Sequence, residues 1–255
     1  MAEKRKVFAI FIASLLLSLA CQLGAAPAAG EPAPEATAAS GVCDNPLMPV
    51  RLGASWTYSN TGSPSGDFSY TDTITDVRAD GFTLTMRFDG GSRTQEWSCE
   101  PNGLKALQPG GGPTAGVTTN DMTAEFQSLE ASGVSIPKTV TPGMQWEHFL
   151  KMEGTTAMPG DSDAKSAGTF AASMQEAGRE TVTVPAGTFE AVKFQYVSTV
   201  MIVAEFQGLQ IPFEFSESGF SWFVPGVGYV KSIGNSNAGG EAFTFTTELL
   251  SYNIP

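Results

Sequence analysis

From residue 80 to 91 the chain reads "DGFTLTMRFDGG", with Phe82, Leu84, Met86 and Phe88 alternating against Thr83, Thr85 and Arg87. A period of two between Asp-Gly turns predicts a half-buried strand with turn chemistry at both ends. Upstream, "FSYTDTITDV" puts Phe68, Tyr70 and Ile74 on one side and a row of threonines on the other; Ala79-Asp80-Gly81 joins the two strands as a hairpin. "RETVTVPAGTFEAVKFQYV" repeats strand, turn and strand, with Pro185 suited to position i+1 and Gly187 to i+3 of a type I turn. The closing "EAFTFTTELLSY" is β-rich again, and helical periodicity is scarce. One stretch, residues 121–131 within "NDMTAEFQSLEAS", fits either state. As a helix it groups Met122, Phe126 and Leu129 behind an Asn120 or Asp121 cap; as a strand it groups Met122, Ala124 and Phe126. The all-β surroundings favour the strand.

All four tryptophans fall at matching points of two stretches. Gly53 and Gly143 each precede a tryptophan, Trp56 and Trp146, by three residues; Trp97 and Trp222 each precede a glycine, Gly103 and Gly228, by six. This spacing predicts two similar β units, about 43–116 and 134–255. The first spends 41 residues between its tryptophans and the second 76, so the second is expected to hold long insertions or an extra hairpin. In "VPGVG", Pro225 and Gly226 fit the two central positions of a type II turn; in "EPNG", Pro101 and Asn102 fit the same places. Both segments read as sheet corners over a packed tryptophan. The expected fold is all-β, with at most one or two short helices: a curved antiparallel sheet or half-barrel.

The N-terminus changes the picture from fold to location. Lys4, Arg5 and Lys6 precede an apolar run from Val7 to Ala20 that ends at Cys21. The run is short of the roughly 20 residues a membrane-spanning helix needs, and it reads as a secretory signal over 1–20. Ending in "SLAC", it resembles a bacterial lipoprotein signal, although Ser18 stands where that family has a larger aliphatic residue. The resemblance implies lipid attached to Cys21 and a membrane-anchored protein of the cell envelope. Cleavage within "GAAPAAG", releasing a soluble protein, is the alternative. Residues 21–42 are small residues, proline and two glutamates, the composition of a tether, and 43–255 is left as one β domain.

Charge and cysteine count narrow the partners. Loss of residues 1–20 removes three positive charges and one negative, moving the net charge from −12 to −14. Such an acidic chain repels nucleic acid and anionic headgroups. With Cys21 carrying lipid, Cys43 and Cys99 remain as an even pair in an oxidising compartment, and a disulfide between them is expected. Two thiols and one histidine are too few for a metal site of the usual kind, and no cofactor is implied.

Catalytic signals are weak. His148 is the one histidine, and on a strand it reads as a partly exposed surface residue. Asp72 and Asp76 share strand parity, and Asp161 and Asp163 lie in a loop; both pairs read as solvated charge. "GNSNAG" places Ala238 where a nucleophile elbow needs glycine, and "LQPGGGPTAG" lacks the lysine of a phosphate loop. No catalytic residue is assigned and an enzyme is not expected. Methionines lie among phenylalanines, and methionine adapts to irregular ligands. Phe82, Met86, Phe88, Met144, Met174 and Phe194 are the candidate lining of an apolar cavity for a lipid or other apolar molecule. The competing reading is that these residues fill a solid core in a structural or partner-binding protein.

"VPAGTFEAVKF", followed by "WFVPGVGYVKS" and a final "ELLSY", resembles a family of bacterial envelope lipoproteins of unknown function with an antiparallel β domain. The likeness covers most of Cys43 to Tyr252 and implies an extracytoplasmic β domain, with no catalytic or ligand residue to carry over. By architecture alone, a curved sheet of this size is similar to the outer-membrane lipoprotein carrier fold. Intact mass spectrometry of the mature protein should show a chain that starts at Cys21 with added acyl mass, and Cys21→Ser should release it from membranes. A native N-terminus at or beyond Ala25 would refute lipidation.

Overall fold

Fourteen strands account for most of the chain: β1 (Ser55–Thr61), β2 (Phe68–Val77), β3 (Gly81–Phe88), β4 (Gly91–Glu100), β5 (Gly103–Ala106), β6 (Gly116–Thr119), β7 (Thr123–Gly133), β8 (Ile136–Pro137), β9 (Gln145–Met158), β10 (Ser162–Val184), β11 (Gly187–Phe206), β12 (Leu209–Val224), β13 (Gly228–Ala238) and β14 (Glu241–Asn253). The structure is a computed structural model that describes residues 41–64, 66–109, 116–119, 123–158, 162–206, 208–238 and 240–255. The signal, Cys21, the tether up to residue 40, Met122 and Asp161 lie outside these residues. Among the described residues there is no helix, and the ambiguous stretch is strand from Thr123 onward.

The sheet is antiparallel and curved, as the alternating patterns predict. Its order is β3-β2-β1-β14-β13-β12-β11-β10-β9-β7-β6-β4-β5-β8. β3 also pairs with β4, so the ladder returns on itself through twelve strands, while β5 and β8 extend from the far half of β4. Register fixes which side chains share the concave face. Tyr58 opposes Tyr70, Tyr70 opposes Phe88 and Phe88 opposes Gly91, so one row runs unbroken from β1 to β4.

The other face of β1 to β3 is lined by serine and threonine. Thr57 and Thr71 hydroxyls meet at 3.0 Å and those of Thr75 and Thr85 at 2.9 Å. A barrel that crosses a membrane needs an outward apolar band. On β1 to β3 the alternation has the opposite sense, with apolar side chains inward, whereas β11 to β13 carry the exposed Val197, Met201, Val203, Phe220 and Ile233 outward.

At the Cys43 end the concave face is filled. Trp56, Ile74, Phe82, Leu84, Trp97, Val184, Val230 and Leu249 pack into one cluster, with Phe82 stacked on Trp97 at 5.4 Å. A second cluster joins Trp146, Val192 and Phe194 to Leu47, and a third joins Leu150, Met152, Phe170 and Ile202. The segment from Cys43 to Gly53 lies over this end. Asn45 Nδ2 donates to the carbonyls of Ile136 and Pro137, each at 3.2 Å, and Gly226 N–H donates to Pro46 O at 2.8 Å. Gly226 has φ +79°, the i+2 conformation that the "VPGVG" turn requires of it, and Val227 N–H closes the turn onto Val224 O at 3.0 Å.

Each tryptophan pair brackets four consecutive strands, Trp56 and Trp97 in β1 to β4 and Trp146 and Trp222 in β9 to β12. Of the two expected forms, long insertions or an extra hairpin, the extra length of the second set takes the first. It lies in longer strands: β10 and β11 have 23 and 20 residues where β2 and β3 have 10 and 8.

Cys43 and Cys99 are bonded across 56 residues, as their number and compartment predict. Both sulfurs sit in the first cluster, so the bond ties the N-terminal segment to β4. Cys99→Ala with Cys43→Ala should lower unfolding free energy by up to about 4 kcal/mol in the chain-entropy account. Denaturant midpoints with and without reductant measure it; equal midpoints would show that the loop is held by packing alone.

Candidate functional site

Away from the Cys43 end the concave face stops being solid core. Phe68, Phe88, Phe213, Phe215, Phe243 and Phe245 fall on inward positions of their strands by register. None of them is fully buried, and Phe68 and Phe213 remain 44% exposed. These aromatic side chains point into the closed ladder yet keep accessible surface.

Between this aromatic end and the core lies a belt of polar side chains. Its first part follows from β2 and β4. Asp72 shares the inward row of Tyr70 and Ile74, and Arg93 and Gln95 share that of Trp97 and Cys99. Met86 stands opposite both Asp72 and Arg93, so the three form one row across β2, β3 and β4. Burial lifts the Asp72 carboxyl to about 6 against the opposing pull of Arg93, and burial lowers the Arg93 guanidinium. Asp72 nonetheless keeps partial exposure on this inward row.

Tyrosines make the rest. The Tyr58 ring lies 5.1 Å from Tyr70 and 5.3 Å from Tyr229, and Tyr58 Oη donates to Tyr229 O at 3.0 Å. Tyr229 Oη donates to Ser232 Oγ at 2.6 Å. Burial raises Tyr58 and Tyr70 far above the usual phenol value and pushes Tyr229 up to about 12. Tyr196 completes the row from β11. A Cβ on Gly234 would come within 2.5 Å of Tyr196 Oη and 2.9 Å of the Phe245 ring, so both rings cross β13 where it has no side chain. Glu217 on β12 shares this face with Ser198 and Ser236, and burial raises its carboxyl pKa.

The sequence-predicted residues divide accordingly. Phe82 and Phe194 are buried in the first and second clusters, and Met144 and Met174 pack against the second. Met86 and Phe88 remain half-buried on the inward face of β3. Met201 is 56% exposed on the outer face. An open trough of about 710 Å³ runs over β10 to β13 past Thr169, Met201, Pro212 and Glu214; none of the six candidate lining residues borders it.

Two expectations are corrected. A bulge between Ile74 and Asp76 breaks their strand parity, so Asp72 faces inward while Asp76 pairs with Arg78 in solvent at 2.5 Å. His148 is buried rather than superficial, because it alternates with Trp146 and Leu150 on the inner face of β9. Its Nδ1 lies 3.1 Å from Ser135 Oγ, its ring meets Phe170 edge-on at 5.5 Å, and burial lowers it to about 4. Arg93, Gln95 and Glu217 escaped notice, although their parity with Trp97, Cys99 and Phe215 was available.

No family model matches the chain, and no curated protein matches it. Three solved structures resemble it. A "putative exported protein with YmcC-like fold" from Bacteroides fragilis is 13% identical, with 83% of this chain and 100% of that chain covered and a TM-score of 0.45. A "putative lipoprotein" from Parabacteroides distasonis is 15% identical, with 83% and 99% covered and a TM-score of 0.44. The hypothetical lipoprotein YmcC from Escherichia coli is 9% identical, with 79% and 89% covered and a TM-score of 0.34.

The buried carboxyl yields a signed pH effect. A native Asp72 value near 6, above that of the unfolded chain, means the folded state holds the extra proton between about pH 4 and 6. Its contribution is therefore favourable at low pH and lost as pH rises. His148, lowered to about 4, acts in the opposite direction over the same range. Asp72→Asn should match the wild type near pH 4 and gain on it above pH 6 by at most about 3 kcal/mol. Urea midpoints across pH test this, and a constant difference would place Asp72 in bulk solvent.

Proposed function

We propose that this chain is an exported, lipid-anchored envelope protein that holds an apolar or amphipathic molecule in the lumen of its β domain. The anchor reading rests on the basic cluster, the apolar run ending at Cys21, and the tether that follows. The ligand reading rests on one observation: inward phenylalanines at one end of a self-closing ladder remain accessible, while the opposite end is packed shut. Burial of such surface by a guest is favourable at roughly 25 cal/mol per Å². Pockets that bind small molecules share this form, a mostly apolar wall with a few placed polar groups. Phe88 and Phe245 would touch the guest's apolar part, and Met86 marks the level at which the wall turns polar.

Protein purified from its own envelope should retain a lipid visible by native mass spectrometry. Met86→Trp should expel that lipid, and weaken an apolar dye several-fold, while its melting temperature stays within a few degrees of wild type. A chain that carries no lipid and leaves apolar dyes unperturbed would favour the solid, partner-binding alternative.

A further inference from the structure

The lumen's polar belt has an unbalanced charge. It carries two carboxylates, Asp72 and Glu217, against one guanidinium, Arg93. Asp72 and Arg93 sit on either side of Met86 and each perturbs the other. Among the described residues no cation forms an ion pair with Glu217. The titratable groups facing it are the phenols of Tyr196 and Tyr229. Tyr229 feels both Glu217 and Asp72. Tyr58, Tyr70 and Tyr229 put aromatic rings around Asp72, whose Oδ1 is buried without a hydrogen-bond partner.

We infer that the belt receives the cationic head of an amphiphile, an alkylammonium group whose tail lies along the phenylalanines toward the open end. This rests on the lumen reading above. An ammonium needs negative charge and tolerates aromatic faces, which attract cations through their quadrupoles. A buried carboxylate is costly unless paired. With the lumen empty, protons serve that need; an ammonium replaces them. The same chemistry would recognise a free alkylamine or the ammonium of a phospholipid head.

The sign of the pH dependence follows from the groups that face each carboxylate. Arg93, Tyr58, Tyr70 and Tyr229 surround Asp72, and Tyr196 and Tyr229 adjoin Glu217. Burial holds the phenols neutral and Arg93 stays charged, so the carboxyls are the groups that change state, Asp72 near pH 6 and Glu217 above its usual value because it is buried. Ionising them favours the cation, and its affinity should rise with pH.

Calorimetric titration of the full chain with decylammonium, decyl maltoside and decanoate, at pH 5 and pH 7.5, tests this. At pH 7.5 decylammonium should bind roughly tenfold more tightly than decyl maltoside, with a smaller ratio at pH 5 and decanoate weakest. Glu217→Gln should reduce that ratio, and Asp72→Asn gives a second, independent reduction. Lysophosphatidylethanolamine binding more tightly than decylammonium would assign the ammonium to a lipid head; the reverse would assign it to a free amine. Equal affinities for all three decyl compounds, a preference for decanoate, or a ratio indifferent to both substitutions would overturn the cationic head and leave the lumen standing. No binding by any of them would overturn the lumen itself.

Discussion

Everything inside the domain depends on β3 being hydrogen-bonded along both edges. Its partners are β2 on one side and β4 on the other, with Phe88 level with Tyr70 and Gly91. A sheet of this length left open would present two faces to water, and one of them would be lined with phenylalanine and methionine. Returning the ladder to β4 converts that face into an interior. Alternation then decides the two faces of β1 to β3, where serine and threonine rows go outward and aromatic rows go inward.

The interior is graded rather than uniform. Large side chains from both tryptophan-bracketed meanders meet at the Cys43 end and leave little unfilled space, with Ile74, Phe82 and Leu249 fully buried. Further along, residues of the same parity no longer meet across the enclosure. Gly219 and Gly234 are paired on adjacent strands there, and Tyr196 lies over the gap their missing side chains leave. Polar groups can persist at this level because they are half enclosed: dry enough for Asp72 to hold its proton near neutrality, wet enough to avoid the full cost of burial.

What could be read from the sequence was what depends on local pattern. The hairpin between Val77 and Phe82, the corner at Pro225-Gly226 and the Cys43–Cys99 bond all follow from neighbouring residues or simple counting. The inner face was only half legible. Met86 and Phe88 keep partial exposure there, but Phe82 and Phe194 look identical in sequence and are buried, Phe82 under Trp97 from the next strand and Phe194 against Trp146 from β9. Asp72 shares the inward parity of Tyr70 and Ile74, and it was the single bulge after Ile74 that separated it from Asp76, since one extra residue exchanges inside for outside. Arg93 and Glu217 were passed over because charged residues are rarely found on an inner face.

The covalent link between Cys43 and Cys99 also has a mechanical meaning. A pull applied at the N-terminus would otherwise act first on Asn45 and Leu47, lifting a short segment held by a few hydrogen bonds and the apolar side chains of Leu47, Met48 and Val50. With the sulfurs joined, the load passes directly into β4, a strand paired along both edges and loaded lengthwise, where several ladder bonds must shear together before any one yields. The domain can thus bear tension at Cys43 without uncovering its packed end.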